Sequence, residues 1–295
     1  MRKEWLLPGI AGAGGIAGFF IRRWNLATAF EPETGLALSG TPSTTALVVL
    51  TAAVLLLLAL LCPRGTYSGT YNQAFRAKDQ TLVMTGMVCG AFLLAGAALF
   101  WLLDLPDAYA EVLGQLQSQY DAGNPLMEML PQMALAVLCA VSALCVLSTG
   151  KNNYRDERRG QYSLILLLPA YTFGIWLVFA YQDRAGDPVL LDYIFELLAI
   201  ITCLLSFYSI AGFAFARNRV FQTAFFSLAA VYFSAVTLAD RHDLASALLF
   251  GFAVVYLLIQ MPVFLYNLQQ PVPEEPDQTP DTPEIETEGT PHAQS

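Results

Sequence analysis

The residues most able to do chemistry in this chain are acids set among hydrocarbon side chains. Asp192, Glu196, Ala199, Cys203 and Ser206 alternate in steps of four and three, which places them on one face of one helix. The rest of that stretch is mostly Leu, Ile, Phe and Ala. Glu196 lies roughly 12 Å beyond Pro188 along a helix rising about 1.5 Å per residue, so it falls inside the apolar stretch. An ionisable group in hydrocarbon costs at least about 2–3 kcal/mol when it faces lipid, so it should face neighbouring helices or water. Such a carboxylate either binds a solute or proton, or ties helices together by hydrogen bonds. Arg22 and Arg23 are the natural counter-charges. Two readings stand for them: anchoring at the interface beside Trp24, or an ion pair with Asp192, Glu196 or Glu128.

Other chemistries lack their parts. The histidines are His242, in a short loop, and His292, near the C-terminus. This argues against a His-based catalytic or zinc site, and no catalytic or metal-binding residue is assigned. Cys62, Cys89, Cys139, Cys145 and Cys203 all fall in apolar segments without metal-ligand spacing, and read as small buried residues. The chain has no Walker A loop, dinucleotide glycine fingerprint, HExxH, GxSxG, arginine ladder or potassium-filter motif. No cofactor, nucleic-acid partner or enzymatic activity is expected.

The elements that must carry the acids are membrane spans. The chain is 56% hydrophobic and only 13% charged, where a soluble domain carries about 25% charge. Eight stretches approach the roughly 20 apolar residues needed to cross a bilayer: Trp5–Ile21, Thr45–Cys62, Thr81–Leu103, Leu126–Ser148, Gln161–Tyr181, Val189–Phe215, Phe221–Ala239 and Leu244–Tyr266. Lipid offers no hydrogen-bond partners, so each should be an α-helix. The expected fold is an all-α, polytopic bundle of eight transmembrane helices over residues 1–268. A Pro-, Glu- and Thr-rich acidic tail over residues 269–295 is expected to be disordered. The first span resembles a signal peptide in following Arg2 and Lys3. It is read as retained, because Arg22, Arg23 and Trp24 follow it instead of a small-residue cleavage site.

With the N-terminus inside, eleven of the fifteen Lys and Arg residues fall in cytoplasmic segments. That bias places both termini in the cytoplasm of a multi-pass cell-membrane protein. Thirteen acids then lie on or toward the outer side, among them Glu31, Glu128, Asp192 and Glu196. They either solvate that face or concentrate cations there.

Finer features follow. Asp107–Tyr120 shows helical spacing of Tyr109, Val112, Leu113, Leu116 and Tyr120, and predicts a separate amphipathic helix on the outer surface. Pro131, Pro169 and Pro262 should kink or locally open their spans. Gly14 with Gly18, and Gly86 with Gly90, form GxxxG spacings suited to close packing. Thr223, Ser227, Ala230, Ser234 and Thr237 make a small, hydroxylated stripe for helix packing or for a polar path. Asn124-Pro125 and Asp187-Pro188 open the fourth and sixth spans in similar ways, which is ordinary N-terminal helix chemistry or a trace of duplication.

The run from Arg22 to Glu31, with Thr34-Gly35-Leu36, resembles the start of uncharacterised multi-span membrane proteins of clostridial-type Gram-positive bacteria. The run from Pro188 to Ala199, with Gly212-Phe213 downstream, is similar to the same group. The resemblance implies a bacterial plasma membrane and no assigned activity.

The leading expectation is a non-enzymatic bundle whose outer side holds a polar pocket built from Arg22, Arg23, Glu31, Glu128, Asp192, Tyr193 and Glu196. It would bind a small polar or charged solute for transport or sensing. The alternative is a structural or interaction protein that recruits a cytoplasmic protein partner through its loops and tail. The lipid bilayer is a partner in either case.

Overall fold

The computed structural model describes residues 3–31, 36–119, 124–155, 163–184 and 189–271. The acidic tail beyond residue 271, Glu33 and the Asp187-Pro188 entry lie outside the described residues. Among those described, the chain is an all-α bundle. Its elements are α1 (Lys3–Thr28), α2 (Pro42–Leu61), α3 (Tyr71–Ala74), α4 (Thr81–Gln119), α5 (Pro125–Arg155), α6 (Ser163–Arg184), α7 (Leu190–Gly212), α8 (Val220–Thr237) and α9 (Leu244–Asn267). All but α3 are long and apolar enough to cross a membrane, which makes this a multi-pass membrane protein.

The helices pack mainly with their chain neighbours, α4 on α5, α5 on α6, α6 on α7 and α7 on α8. Closure comes from α1 lying on α8 and α9 lying on α4 and α8. The most apolar 18-residue window of α8 is 72% buried and that of α2 only 17%, so α8 is innermost and α2 rides on the outside. Outward faces carry large exposed side chains such as Leu56, Phe92, Leu144 and Leu164. A water-soluble monomer would not leave so many uncovered, whereas lipid solvates them.

The bundle centre is filled by aromatic rings. Phe173 of α6, Phe207 of α7 and Phe252 of α9 stack with centroids 5.3 to 6.5 Å apart. Trp176 packs on Phe250 at 4.7 Å, and Tyr256 continues the cluster beside Phe207. Such rings bury large apolar area in fixed relative orientations.

One end of the bundle carries Asp104, Asp192, Asp240 and Asp243 and is the acid-rich end. The other carries Arg64, Arg76, Lys151, Arg217 and Arg219 and is the basic end. At the basic end Asn267, at the close of α9, donates to the carbonyls of Ala74 and Arg76 at 3.0 and 2.9 Å and fixes the α3 turn.

Two expectations need correction. The surface helix at Asp107–Tyr120 is not separate: α4 runs without a break from Thr81 to Gln119, straight through Pro106. No glycine or capping residue ends the helix after Leu103, and the proline lies on an exposed stretch where water can take the freed carbonyl. The Gly14–Gly18 pair packs closely, as its spacing suggests, and both glycines face the Tyr232 ring of α8. A side chain at Gly14 would meet Val54 of α2 at 2.9 Å, while one at Gly18 would meet Val236 of α8 at 2.5 Å. Gly15 belongs with Gly18, since its added carbon would lie 2.7 Å from Ala235. Cys89 is exposed on the outward face of α4, whereas Cys62, Cys139 and Cys203 are buried as expected. Pro131, Pro169 and Pro262 sit within α5, α6 and α9, which continue through them.

Candidate functional site

Helix α1 buries one stripe: Leu7, Ala11, Gly15, Gly18, Arg22 and Asn25 recur in steps of four or three and all face inward. Small residues let α1 approach α8 closely, and the same stripe carries the guanidinium of Arg22 into the bundle. Arg22 is fully buried, while Arg23, about 100° further around the helix, is exposed.

The buried guanidinium is almost fully satisfied. Its Nε donates to Asp240 Oδ1 at 2.6 Å. Nη1 donates to Asn25 Oδ1 at 2.9 Å and to the Leu191 carbonyl at 3.1 Å, and Nη2 to the Asp192 carbonyl at 2.6 Å. The Phe195 ring lies 5.3 Å from the guanidinium carbon. Asn25 in turn donates to Thr44 Oγ1 at 2.8 Å, which draws α2 into the same network. Arg22 therefore ties α1, α2, α7 and the α8–α9 loop in one place.

Asp240 also accepts from the Thr237 hydroxyl at 3.0 Å. Burial pushes the Asp240 carboxyl above its ordinary value, and the adjoining Arg22 guanidinium pulls it part of the way back. His242 Nε2 lies 2.7 Å from the Thr237 carbonyl, which can only accept, so Nε2 carries a proton. Thr237 Oγ1, 3.1 Å away, has its own proton engaged on Asp240 and faces the same N–H. That leaves Nδ1 of His242 directed at Glu196 Oε1 at 3.8 Å, an ion-pair distance. The other Glu196 oxygen accepts from Arg184 Nη2 at 3.2 Å.

The site is thus a charged seam, Arg22–Asp240–Thr237–His242–Glu196–Arg184, crossing the acid-rich end from α1 to α6. Asp243 caps α9 beside it by accepting from the Ser246 amide at 3.1 Å. Phe250 packs 5.1 Å below the imidazole, so the central aromatic cluster forms the floor. One flank is a hydroxyl seam between α7 and α8. Ser206 meets Ser227 at 2.7 Å, and Cys203 meets Ser234 at 3.4 Å. The two small-residue stripes of α7 and α8 face each other and pair, which is the packing role.

Of the seven expected pocket residues, Arg22 and Glu196 join the seam. Asp192 contributes its backbone carbonyl; its carboxylate is not the partner of Arg22, because Asp240, 218 residues away in sequence, reaches the guanidinium from the α8–α9 loop. Tyr193 is half-buried on the neighbouring face, and Arg23 and Glu31 are exposed. The Glu128 side chain lies outside the described residues. Arg184, Thr237, Asp240 and His242 were missing from the expected set. His242 carried one signal, as the sole histidine near an apolar segment; Asp240 and Arg184 looked like ordinary loop charges. Among the described residues no group of three His, Cys, Asp or Glu side chains could hold a metal ion. No protein-family model, curated protein or solved structure matches the chain.

Proposed function

We propose that this is a non-enzymatic bacterial plasma-membrane protein that binds a small polar or charged solute at its acid-rich end, for transport or sensing. The concentration of Lys and Arg at the opposite end supports an outward-facing acid-rich end and cytoplasmic termini. The observation that carries the reading is the unequal state of the two arginines. Arg22 is buried with four of its five N–H donors engaged, and serves as a brace. Arg184 keeps 30% of its side chain exposed and, among the described residues, donates one hydrogen bond, to Glu196. Among the described residues most of its five N–H donors are unengaged and can meet an anionic group, while Glu196 behind it can take a cation or a donor. The aromatic floor suits a site closed toward the other face.

The test is ligand-induced stabilisation of the purified full chain against small anions, zwitterions and cations. Glu196→Gln is expected to weaken binding of the responding class by about tenfold or more, the worth of one charge-assisted hydrogen bond. Unchanged affinity would remove Glu196 from the site.

A structural or interaction role is the second reading, and the engagement of Arg22 favours it: such a seam would simply lock helices. Recruitment of a cytoplasmic protein through the tail would then be lost on truncation after Gln269, with no solute response.

A further inference from the structure

At the basic end a cavity of about 800 Å³ opens between α6, α7 and the start of α8. That volume is within the roughly 300–1,000 Å³ of small-ligand sites. Its walls are apolar, from Leu167, Leu205 and Phe226, and its rim is cationic and polar, from Arg217, Arg219 and Gln222.

The rim is built, not incidental. Helix α7 ends in a tight turn: Ala216 takes φ +57°, and the Arg217 amide donates to the Gly212 carbonyl at 2.9 Å. A side chain at Gly212 would meet the Arg217 carbonyl at 3.2 Å. The chain then turns tightly at Asn218, the Arg219 amide donating to the Arg217 carbonyl at 3.0 Å, and Arg219 is bridged antiparallel to Thr66. Asn218 turns to the 65–70 loop and donates to the carbonyls of Tyr67 and Gly69 at 2.9 and 2.8 Å. It lines a separate cavity of about 320 Å³. Arg217 and Arg219 both line the larger groove. Arg217 also donates to the Tyr208 hydroxyl at 3.3 Å. Among the described residues neither arginine has a carboxylate partner. Tyr208 and Phe215, both about half exposed, extend the groove onto the lipid-facing surface.

We infer that this groove holds one anionic phospholipid, its phosphate between Arg217 and Arg219 and an acyl chain along Leu205 and Phe226. Charge complementarity selects the headgroup, and continuity with the lipid-facing surface selects a lipid over a soluble phosphate. Basic pockets between transmembrane helices are suited to anionic headgroups. The site is remote from the acid-rich seam and does not depend on it.

The test is lipid retention by the full chain, reconstituted in phosphatidylcholine with or without phosphatidylglycerol, extracted and read by native mass spectrometry. The wild type should keep one phosphatidylglycerol in preference to phosphatidylcholine. Arg217→Gln with Arg219→Gln should weaken that retention about thirtyfold, the combined worth of two cations at an anionic leaflet. Lys78→Gln with Lys151→Gln, which removes two charges at the same end, should not. Leu205→Trp, which fills the groove and leaves both arginines in place, should also abolish retention. It keeps the proposal testable if the double arginine variant does not fold. Equal retention in the groove variants and the wild type overturns the inference. So does an equal loss in the lysine variant, which means general surface attraction, and so does displacement of the lipid by inorganic phosphate alone.

Discussion

Replacing Arg22 with methionine destabilises the bundle by about 3–5 kcal/mol, because it strands a buried carboxylate. Asp240 loses its 2.6 Å partner, and the Leu191 and Asp192 carbonyls lose their side-chain donor. Burial already works against the charged form of Asp240, and Arg22 is its main compensation. The measurement is equilibrium unfolding of the purified chain in mixed detergent micelles. The double variant Arg22→Met with Asp240→Leu should recover most of the loss, since removing both charges also removes both desolvation costs. Arg23→Met, on the exposed face, should stay within about 0.5 kcal/mol of the wild type, as surface changes usually do.

The second large effect is expected at Gly18. Leucine there must displace Val236, whose branched side chain has little rotamer freedom and whose nearest atom lies 2.5 Å from the first added carbon. It also presses on the Tyr232 ring, 3.4 Å away, whose hydroxyl is hydrogen-bonded to Thr51 at 2.8 Å. Overpacking of this kind costs about 1–3 kcal/mol, and this site should reach the upper end because α1 and α8 would separate and draw Arg22 off Asp240. Gly9, whose added carbon meets nothing, is the control. Gly9→Leu should leave the unfolding midpoint near that of the wild type.

The eight spans were legible because length and apolarity alone fix them in lipid. Arg22 and Arg23 were expected to act together, and helix phase separates them: Ala11, Gly15, Gly18 and Arg22 repeat in steps of four and three on the buried side, and Arg23 falls out of step. Glu196 stood out because a carboxylate in hydrocarbon needs a partner. The identity of its partners did not, because Arg184 sits at a helix end and His242 in a loop, where charge is ordinary. Only the closing of α1 onto α8 brings Asp240 to Arg22. The continuous α4 was missed for a local reason: the charges from Asp104 onward mark the end of an apolar run, which is not the end of a helix.

Water access to Glu196 is the decisive measurement. In a chain whose five cysteines are replaced by alanine, Glu196→Cys should react with a charged, membrane-impermeant thiol reagent added from the acid-rich, outer face of sealed cells. Thr202→Cys, almost two turns deeper on α7, should not react. Glu196→Cys that stays unlabelled from both faces would mean a dry seam that only braces helices. Labelling from the cytoplasmic face alone would contradict the proposed threading.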